Sequence, residues 1–142
     1  MSQLIAQLKR HEGLRLKPYK CTADKWTIGY GRNIQDNGIS VEEAEMLLRH
    51  DILTTTNLLL KSFPWMSGLN DARISALINF TFNVGIGTVK TFSKSLAALQ
   101  LGNYDEAANE MMNSKWAKQV GSRSLEITDQ IRSGKWSTSV FY

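Results

Sequence analysis

The sequence of 142 residues has a single cysteine, Cys21, and no long hydrophobic run. One cysteine cannot form an intramolecular disulfide, which excludes the class of small secreted domains held together by disulfides. No apolar run approaches the ~18 residues that a membrane-spanning helix requires, so we expect no stable membrane insertion. The N-terminal residues lack the apolar core of a signal peptide, because Lys9 and Arg10 follow only a short amphipathic pattern. These absences predict a protein that accumulates in the cytoplasm.

Repeats and low-complexity segments are also absent, and the composition is that of a folded protein. Hydrophobic residues make up 42% of the chain and charged residues 21%, which suits one compact domain or two small lobes sharing a helix. The formal net charge of +4 favours an acidic polymer as partner, and bacterial walls and nucleic acids are both anionic. No predicted helix collects lysine and arginine on one face, so we expect no nucleic-acid partner.

Glu12 is the first candidate for chemistry. It follows Leu8 by four residues, so it shares the apolar stripe of the first predicted helix with Leu4 and Ile5. Ser2 is a predicted cap of this helix, and Gly13 suits the left-handed position after its end. A carboxylate at the negative end of a helix dipole and beside apolar surface tends to stay protonated, as a general acid must. The alternative is an ordinary surface glutamate.

The next segment predicts a two-stranded hairpin. Apolar and polar residues alternate around Tyr19 and Cys21, and again from Trp26 to Tyr30. A turn over 23–25 would place Cys21 directly opposite Thr27, on one face of the sheet. Gly29 and Gly31 would leave room for another backbone or a sugar to come close. The alternative is an ordinary hairpin with a buried cysteine.

Helical signals dominate the rest of the chain. The stretch from Arg32 to Ile39 is rich in turn residues and is expected to be a loop. Ser40-Val41-Glu42-Glu43 has the pattern of a capping box and predicts a helix that continues to about Ser62. The later expectations are a helix capped by Asn70, a turn from Trp116 to Gly121, and a last helix over 122–132 that ends at Gly134.

Three of these residues stand at a spacing found in a known family. Glu12 is followed after eight residues by Cys21 and after five more by Thr27, and Ile-Gly-Tyr-Gly comes next. The pattern resembles glycoside hydrolase family 24, the phage lysozymes or T-even-like endolysins, which carry Glu, eight residues, Asp or Cys, five residues and Thr. Later segments that also resemble the family are Leu77 to Gly85, Phe92 to Leu96, and Gly134 to Trp136.

The resemblance implies an α+β, predominantly helical, lysozyme-like fold in a single domain over 1–142. A small β-hairpin lobe would cover about 13–50, and a connecting helix about 40–62. The helical lobe would cover about 63–142 together with the N-terminal helix 2–12. The substrate cleft would lie between the two lobes.

The resemblance also implies hydrolysis of the β-1,4 bond between N-acetylmuramic acid and N-acetylglucosamine in bacterial peptidoglycan, causing host cell lysis. Glu12 would protonate the glycosidic oxygen, while Cys21 would activate water or attack the sugar carbon itself. Thr27 would hold a water beside Cys21. A free thiol is only slightly ionised at neutral pH, so Lys20 and Lys25 are candidates for lowering the pKa of Cys21.

Further residues are assigned from the resemblance. The expected substrate-binding residues are Tyr30, Gly31, Asn79 and Asn83, with the asparagines bonding to N-acetyl and hydroxyl groups. Without the resemblance, two asparagines four residues apart on a helix are as readily a solvated face. Arg123 would pair with Glu12 and fix the rotamer of its side chain. No cofactor or metal is expected.

The expected partner is the glycan strand of peptidoglycan, with the protein acting as a monomer and a holin releasing it from the host cytoplasm to the cell wall. Three alternatives remain open. A non-catalytic peptidoglycan-binding module would bind walls without releasing reducing ends, and a lytic transglycosylase would release anhydro-sugar ends. A peptidase would need His11 or His50 beside Cys21, and no third orienting residue is evident.

Overall fold

The computed structural model describes residues 1–136, which form a predominantly helical α+β structure with one small antiparallel sheet. This confirms the predicted fold class. The described residues divide into two compact units between Leu48 and Arg49. The predicted helical lobe ran to 142, and its residues 137–142 lie outside the described part of the chain. None of the helices within 1–136 is long and apolar enough to cross a membrane.

The first unit contains the sheet. Its elements are α1 (Ser2–Glu12), β1 (Arg15–Lys20), β2 (Trp26–Gly29), β3 (Arg32–Asn33), α2 (Ile34–Asn37) and the beginning of α3 (Val41–Ser62). The strand order is β1-β2-β3, and both neighbouring pairs are antiparallel. Because α1 belongs to this unit, its predicted grouping with the helical lobe stays a prediction.

A third strand and a short helix replace the predicted loop from Arg32 to Ile39. Gly29 and Gly31 both have positive φ, +70° and +77°, and turn the chain so that Ile28 pairs with Arg32. Asn33 then begins α2, because its side chain accepts a hydrogen bond from the Asp36 N–H at 3.0 Å. The turn residues were recognised correctly, but the predicted absence of regular structure was wrong.

The β1–β2 hairpin turns one residue earlier than predicted, so the partner of Cys21 shifts by two residues, from Thr27 to Lys25. Tyr19 faces Thr27, and the Cys21 N–H donates to the Lys25 carbonyl at 3.0 Å. Asp24 takes a left-handed φ of +59°, which aspartate tolerates, and its N–H donates to the Cys21 carbonyl at 2.9 Å. The predicted direct opposition of Cys21 and Thr27 is therefore wrong, because the tight turn begins earlier.

The capping box at the start of α3 is confirmed. The Ser40 N–H donates to Glu43 Oε1 at 2.9 Å, and the Glu43 N–H donates to Ser40 Oγ at 3.1 Å. Arg32 adds an ion pair to Glu43 at 2.8 Å. The hydrogen bond from Arg32, followed by that from the Ser40 N–H, lowers the pKa of Glu43 to about 2. This cluster links β3 to the first turn of the long helix.

Helices make up the described part of the second unit. They are the rest of α3, a 3-10 segment (Pro64–Gly68), α4 (Asp71–Val84), α5 (Ile86–Thr91), α6 (Ser93–Gln100), α7 (Tyr104–Met112), α8 (Lys115–Val120) and α9 (Ser122–Ser133). Asn70 caps α4 as predicted, and Gly134 ends α9 in the left-handed conformation. The predicted turn from Trp116 to Gly121 is wrong. Residues 116–120 lie in α8 and Gly121 ends it, because Ser114 Oγ accepts from the Ala117 N–H and caps a helix there.

The core of the second unit is built around α4. Phe80 is 2% exposed and meets two other rings edge-on, Trp116 at 4.6 Å and Phe92 at 4.9 Å between centroids. Ile127 and Ile131 of α9 are fully buried, as their helical spacing predicts. Burying one face of α4 in this core leaves Asn79 and Asn83 on an exposed face of the same helix.

Candidate active site

Glu12 is the last residue of α1, and its carboxylate lies against the turn between β2 and β3. The helix ends there because Gly13 adopts a φ of +71° and its N–H closes the last turn on the Lys9 carbonyl at 3.0 Å. A Cβ placed on Gly31 would lie 2.5 Å from Glu12 Oε2 and 2.9 Å from its Cδ. The carboxylate therefore occupies the space that any side chain at position 31 would need.

The environment of Glu12 differs from the predicted one. Glu12 was predicted to lie on a buried stripe of a helix capped by Ser2. In the structure α1 contains no buried residue, and Met1 occupies the cap position without a side-chain hydrogen bond. Glu12 itself is exposed, and the apolar residues of its stripe are about half exposed. Those two local expectations were wrong, while the predicted helix end at Gly13 is confirmed.

Cys21 and Thr27 lie on one face of the sheet as diagonal neighbours. Cys21 faces Lys25, and Thr27 follows Lys25 by two residues, so both side chains project to the same side. Thr27 is 3% exposed, and its hydroxyl donates to the Lys25 carbonyl at 2.8 Å. The sheet thus brings the predicted sulfur and hydroxyl together, although through a different pairing.

Hydrogen bonds lower the pKa of the Cys21 thiol. The largest effect comes from the backbone N–H of Lys25, followed by that of Ala23 and by the Thr27 side chain. The Thr27 hydroxyl has one proton, so it accepts from the thiol while donating to Lys25 or turns to donate to the thiolate. The local backbone and Thr27 therefore favour the reactive, ionised form of Cys21.

The lysines that the sequence analysis suggested as activating cations do not cause this shift. Lys20 Nζ lies 3.8 Å from Asp24 and 4.8 Å from the centroid of the Trp26 ring. Lys25 Nζ lies 3.3 Å from Asp36 Oδ1. Both ammonium groups are thus engaged with carboxylates of the same unit, and the predicted role of Lys20 and Lys25 is replaced by backbone N–H donors.

The two asparagines of α4 bind partners within the second unit. Asn79 Oδ1 accepts from Arg123 Nε at 3.1 Å and from one of its terminal nitrogens at 2.8 Å. Asn83 Oδ1 accepts from Trp116 Nε1 at 2.6 Å. The sequence analysis recognised Trp116 but missed its bond to Asn83. Both asparagines are exposed, and each amide also carries an Nδ2 group that can donate.

The described residues contain no evident metal-binding cluster. Within 1–136 no group of three or more His, Cys, Asp or Glu side chains lies close enough to hold an ion. The side chains predicted to carry chemistry are a carboxylate, a thiol and a hydroxyl of the first unit, and amide and guanidinium groups of the second.

The sequence model of the family described as phage lysozyme matches residues 9–131. The chain belongs to the phage lysozyme family. Membership makes it a glycosidase of the lysozyme type and confirms the resemblance drawn from the Glu12, Cys21 and Thr27 spacing.

Individual relatives agree with the phage lysozyme assignment. An endolysin of Acyrthosiphon pisum secondary endosymbiont phage 1 is 40% identical over 124 residues, which are 84% of this chain and 82% of that protein. An endolysin of Bacillus phage B103 is 39% identical over 82% of this chain but only 45% of its own length. A probable T4-type lysozyme 1 of Dictyostelium discoideum is 29% identical over 94% of this chain and 96% of that protein.

All predicted site residues of this phage lysozyme, from Glu12 to Arg123, lie inside the matched range. Glu12, Cys21, Thr27, Tyr30 and Gly31 belong to the first unit. Asn79, Asn83 and Arg123 belong to the second, where Arg123 and Asn79 are already bonded. The pairing of Arg123 with Glu12 would join the two units and stays a prediction.

Proposed function

We propose that this chain hydrolyses the β-1,4 bond between N-acetylmuramic acid and N-acetylglucosamine in bacterial peptidoglycan and thereby lyses the host cell. The observation that carries the proposal is the carboxylate of Glu12 at the end of α1, against the turn of the same sheet that holds Cys21 and Thr27. Membership of the phage lysozyme family supports the substrate class, because the named relatives are endolysins and lysozymes.

In the proposed mechanism, Glu12 protonates the glycosidic oxygen as the bond to the sugar carbon breaks. Its exposed position at the helix end leaves the carboxyl accessible to a polymeric substrate. Cys21, as thiolate, activates a water or attacks the anomeric carbon directly. Thr27 orients the reacting group at Cys21, because its side chain is one of the groups that lower the pKa of the thiol.

Substrate contacts are proposed on both units. Tyr30 is 44% exposed at the tip of the β2–β3 turn, where its ring can stack on a sugar face. Asn79 and Asn83 offer Nδ2 donors to acetyl and hydroxyl oxygens, since their Oδ1 atoms are bonded to Arg123 and Trp116. Gly31 is a further proposed substrate contact, and it lies beside the carboxylate of Glu12.

The wider setting follows from the same proposal. The single lysozyme-like domain, the cleft between its lobes and the pairing of Arg123 with Glu12 stay expectations of the resemblance. The protein acts as a monomer on glycan strands, accumulates in the host cytoplasm and reaches the wall once a holin opens the membrane.

The experiment that tests the proposal is mass analysis of fragments released from purified peptidoglycan. The wild type should release reducing N-acetylmuramic acid ends, and Glu12→Gln should reduce the rate by ~100-fold or more, the scale of a general acid. Cys21→Ser should also be strongly impaired. Glu45→Gln is the matched control, because Glu45 is an exposed glutamate of α3 in the same unit.

Other products would point to the alternatives. Anhydro-sugar ends from the wild type would identify a lytic transglycosylase, for which Cys21→Ser should have no effect. Wall binding without any released fragment would identify a non-catalytic binding module. A wild-type rate for Glu12→Gln would contradict the general-acid assignment directly.

A further inference from the structure

Two glycines of the β2–β3 turn share a backbone conformation but not an environment. Gly29 has a φ of +70° and Gly31 a φ of +77°, so both carry the penalty that an L-residue meets in this region. A Cβ on Gly29 would have no atom within 4 Å, whereas a Cβ on Gly31 would collide with Oε2, Cδ and Cγ of Glu12. The positive φ is enough to explain why a glycine stands at position 29. At position 31 the space taken by Glu12 is a second reason for a glycine.

We propose that Gly31 is a positioning residue for Glu12, and that its missing side chain defines where the catalytic carboxylate sits. This inference rests on the proposed role of Glu12 as general acid. This role differs from the expected substrate contact. Gly31 acts on the substrate only indirectly, by fixing the position of the Glu12 carboxylate.

A second contact holds the same helical turn. Lys9 Nζ lies 5.4 Å from the centroid of the Tyr30 ring, and Lys9 precedes Glu12 by three residues on the same side of α1. The tip of the β2–β3 turn thus touches the last turn of α1 at two adjacent places. All four residues lie in the first unit, so the arrangement is internal to that unit.

The two roles for Gly31 predict different kinetics. If Gly31 positions the acid, a methyl group there displaces the Glu12 carboxylate and lowers kcat. The shift needed is about 1 Å, because the Cβ would lie 2.5 Å from Oε2 and an ordinary contact begins at 3.4 Å. A displacement near 1 Å at a reacting group is enough to slow catalysis by ~100-fold. If Gly31 instead contacts the sugar equally in ground and transition states, the methyl group raises KM and leaves kcat unchanged.

The test compares Gly31→Ala with Gly29→Ala on soluble peptidoglycan fragments, below the melting temperature of both variants. We expect Gly31→Ala to lose ~100-fold in kcat with little change in KM, and Gly29→Ala to keep the kcat of the wild type. A raised KM with normal kcat for Gly31→Ala, or equal losses in both variants, would overturn the inference.

A double-variant cycle adds a readout that general destabilisation does not affect. Glu12→Asp shortens the side chain by one methylene and should lower kcat in the wild-type background. In the Gly31→Ala background the shorter side chain escapes the new methyl group, so Glu12→Asp should cause no further loss. Fully additive losses would mean that the two positions act independently and would contradict the proposal.

Melting temperatures keep the inference testable if Gly31→Ala folds poorly. Gly31→Ala should melt below Gly29→Ala, and adding Glu12→Ala should remove that difference because the clash disappears. If the difference persists, the contact with Glu12 is not its cause and the inference fails. Retained activity of Glu12→Gln would instead remove the proposed function, so the two failures are distinguishable.

Discussion

Replacing Asn83 with alanine should destabilise the second unit through a tryptophan that the substitution does not touch. Asn83 Oδ1 accepts the Trp116 indole N–H at 2.6 Å, and Trp116 is 6% exposed, with its ring against Phe80. Alanine removes this acceptor and leaves a donor of a nearly buried ring without a protein partner. The indole can regain a bond only if water enters beside it.

The magnitude follows from the cost of an unsatisfied buried donor, about 1–3 kcal/mol. For a chain of this size that corresponds to a fall in Tm of about 3–9 °C. Asn79→Ala is the matched comparison on the same face of α4. Arg123 is only half-buried and can turn to water, so we expect a loss below about 1 kcal/mol there.

The assay is thermal unfolding monitored by circular dichroism for the wild type, Asn83→Ala, Asn83→Asp and Asn79→Ala. Asn83→Asp keeps an acceptor and should melt near the wild type, yet it loses the Nδ2 donor proposed to meet the sugar. A raised KM in Asn83→Asp at normal stability would therefore separate substrate binding from structure.

Two results would refute the reasoning. If Asn83→Ala melts at the temperature of the wild type, the bond from the indole N–H to Asn83 does not stabilise the fold. Trp116→Phe removes the donor itself, so in that background Asn83→Ala should be nearly neutral. Equal losses from Asn83→Ala in both backgrounds would show that its effect does not pass through the indole N–H.

Three further predictions concern pH, reactivity and the core. Glu43 has a pKa of about 2 in the folded chain, below its usual 4.5. Its ionised form therefore stabilises the fold above pH ~4.5, and this contribution is lost as the pH falls towards 2. Glu43→Gln should lower Tm at pH 7, and an equal loss of Tm at pH 2 would contradict this. Thr27→Val removes a hydrogen bond that lowers the pKa of Cys21, so alkylation by iodoacetamide should require higher pH, and an unchanged pH profile would exclude Thr27 as a cause. Phe80→Ala should cost about 3–5 kcal/mol in chemical denaturation, because the ring is fully enclosed; a loss below 1 kcal/mol would mean that the core closes around the gap.

The position of Cys21 shows how a local turn can change the chemistry of a site. Lys20 and Lys25 were the predicted cations that would lower the pKa of the thiol. In the structure both are engaged with carboxylates, and the turn through Asp24 directs backbone N–H groups at the sulfur instead. The lowered pKa of Cys21 therefore depends on backbone geometry and on Thr27, and substitution of either lysine side chain should leave both intact.

Features whose interactions close within a few residues were determined by the sequence alone. The capping box of Ser40 and Glu43, the Asn70 cap and the helix ends at Gly13 and Gly134 are all as predicted. Each needs only a hydrogen bond across three or four residues or one left-handed glycine, so no distant segment has to be known to predict it. The spacing of Glu12, Cys21 and Thr27 was likewise enough to indicate the family.

Tertiary structure decided the partners. Asn83 binds a residue 33 positions away and Asn79 one 44 positions away, and no local pattern selects between those bonds and solvent. The hairpin register depended on whether Asp24 adopts a left-handed conformation. The energy difference between the two registers is small, and the pairing of the two strands as a whole decides it. The space beside Gly31 is filled by Glu12 only because α1 packs its last turn on the β2–β3 turn. Contacts between distant segments depend on how the whole chain packs, so they can be identified only in the folded structure.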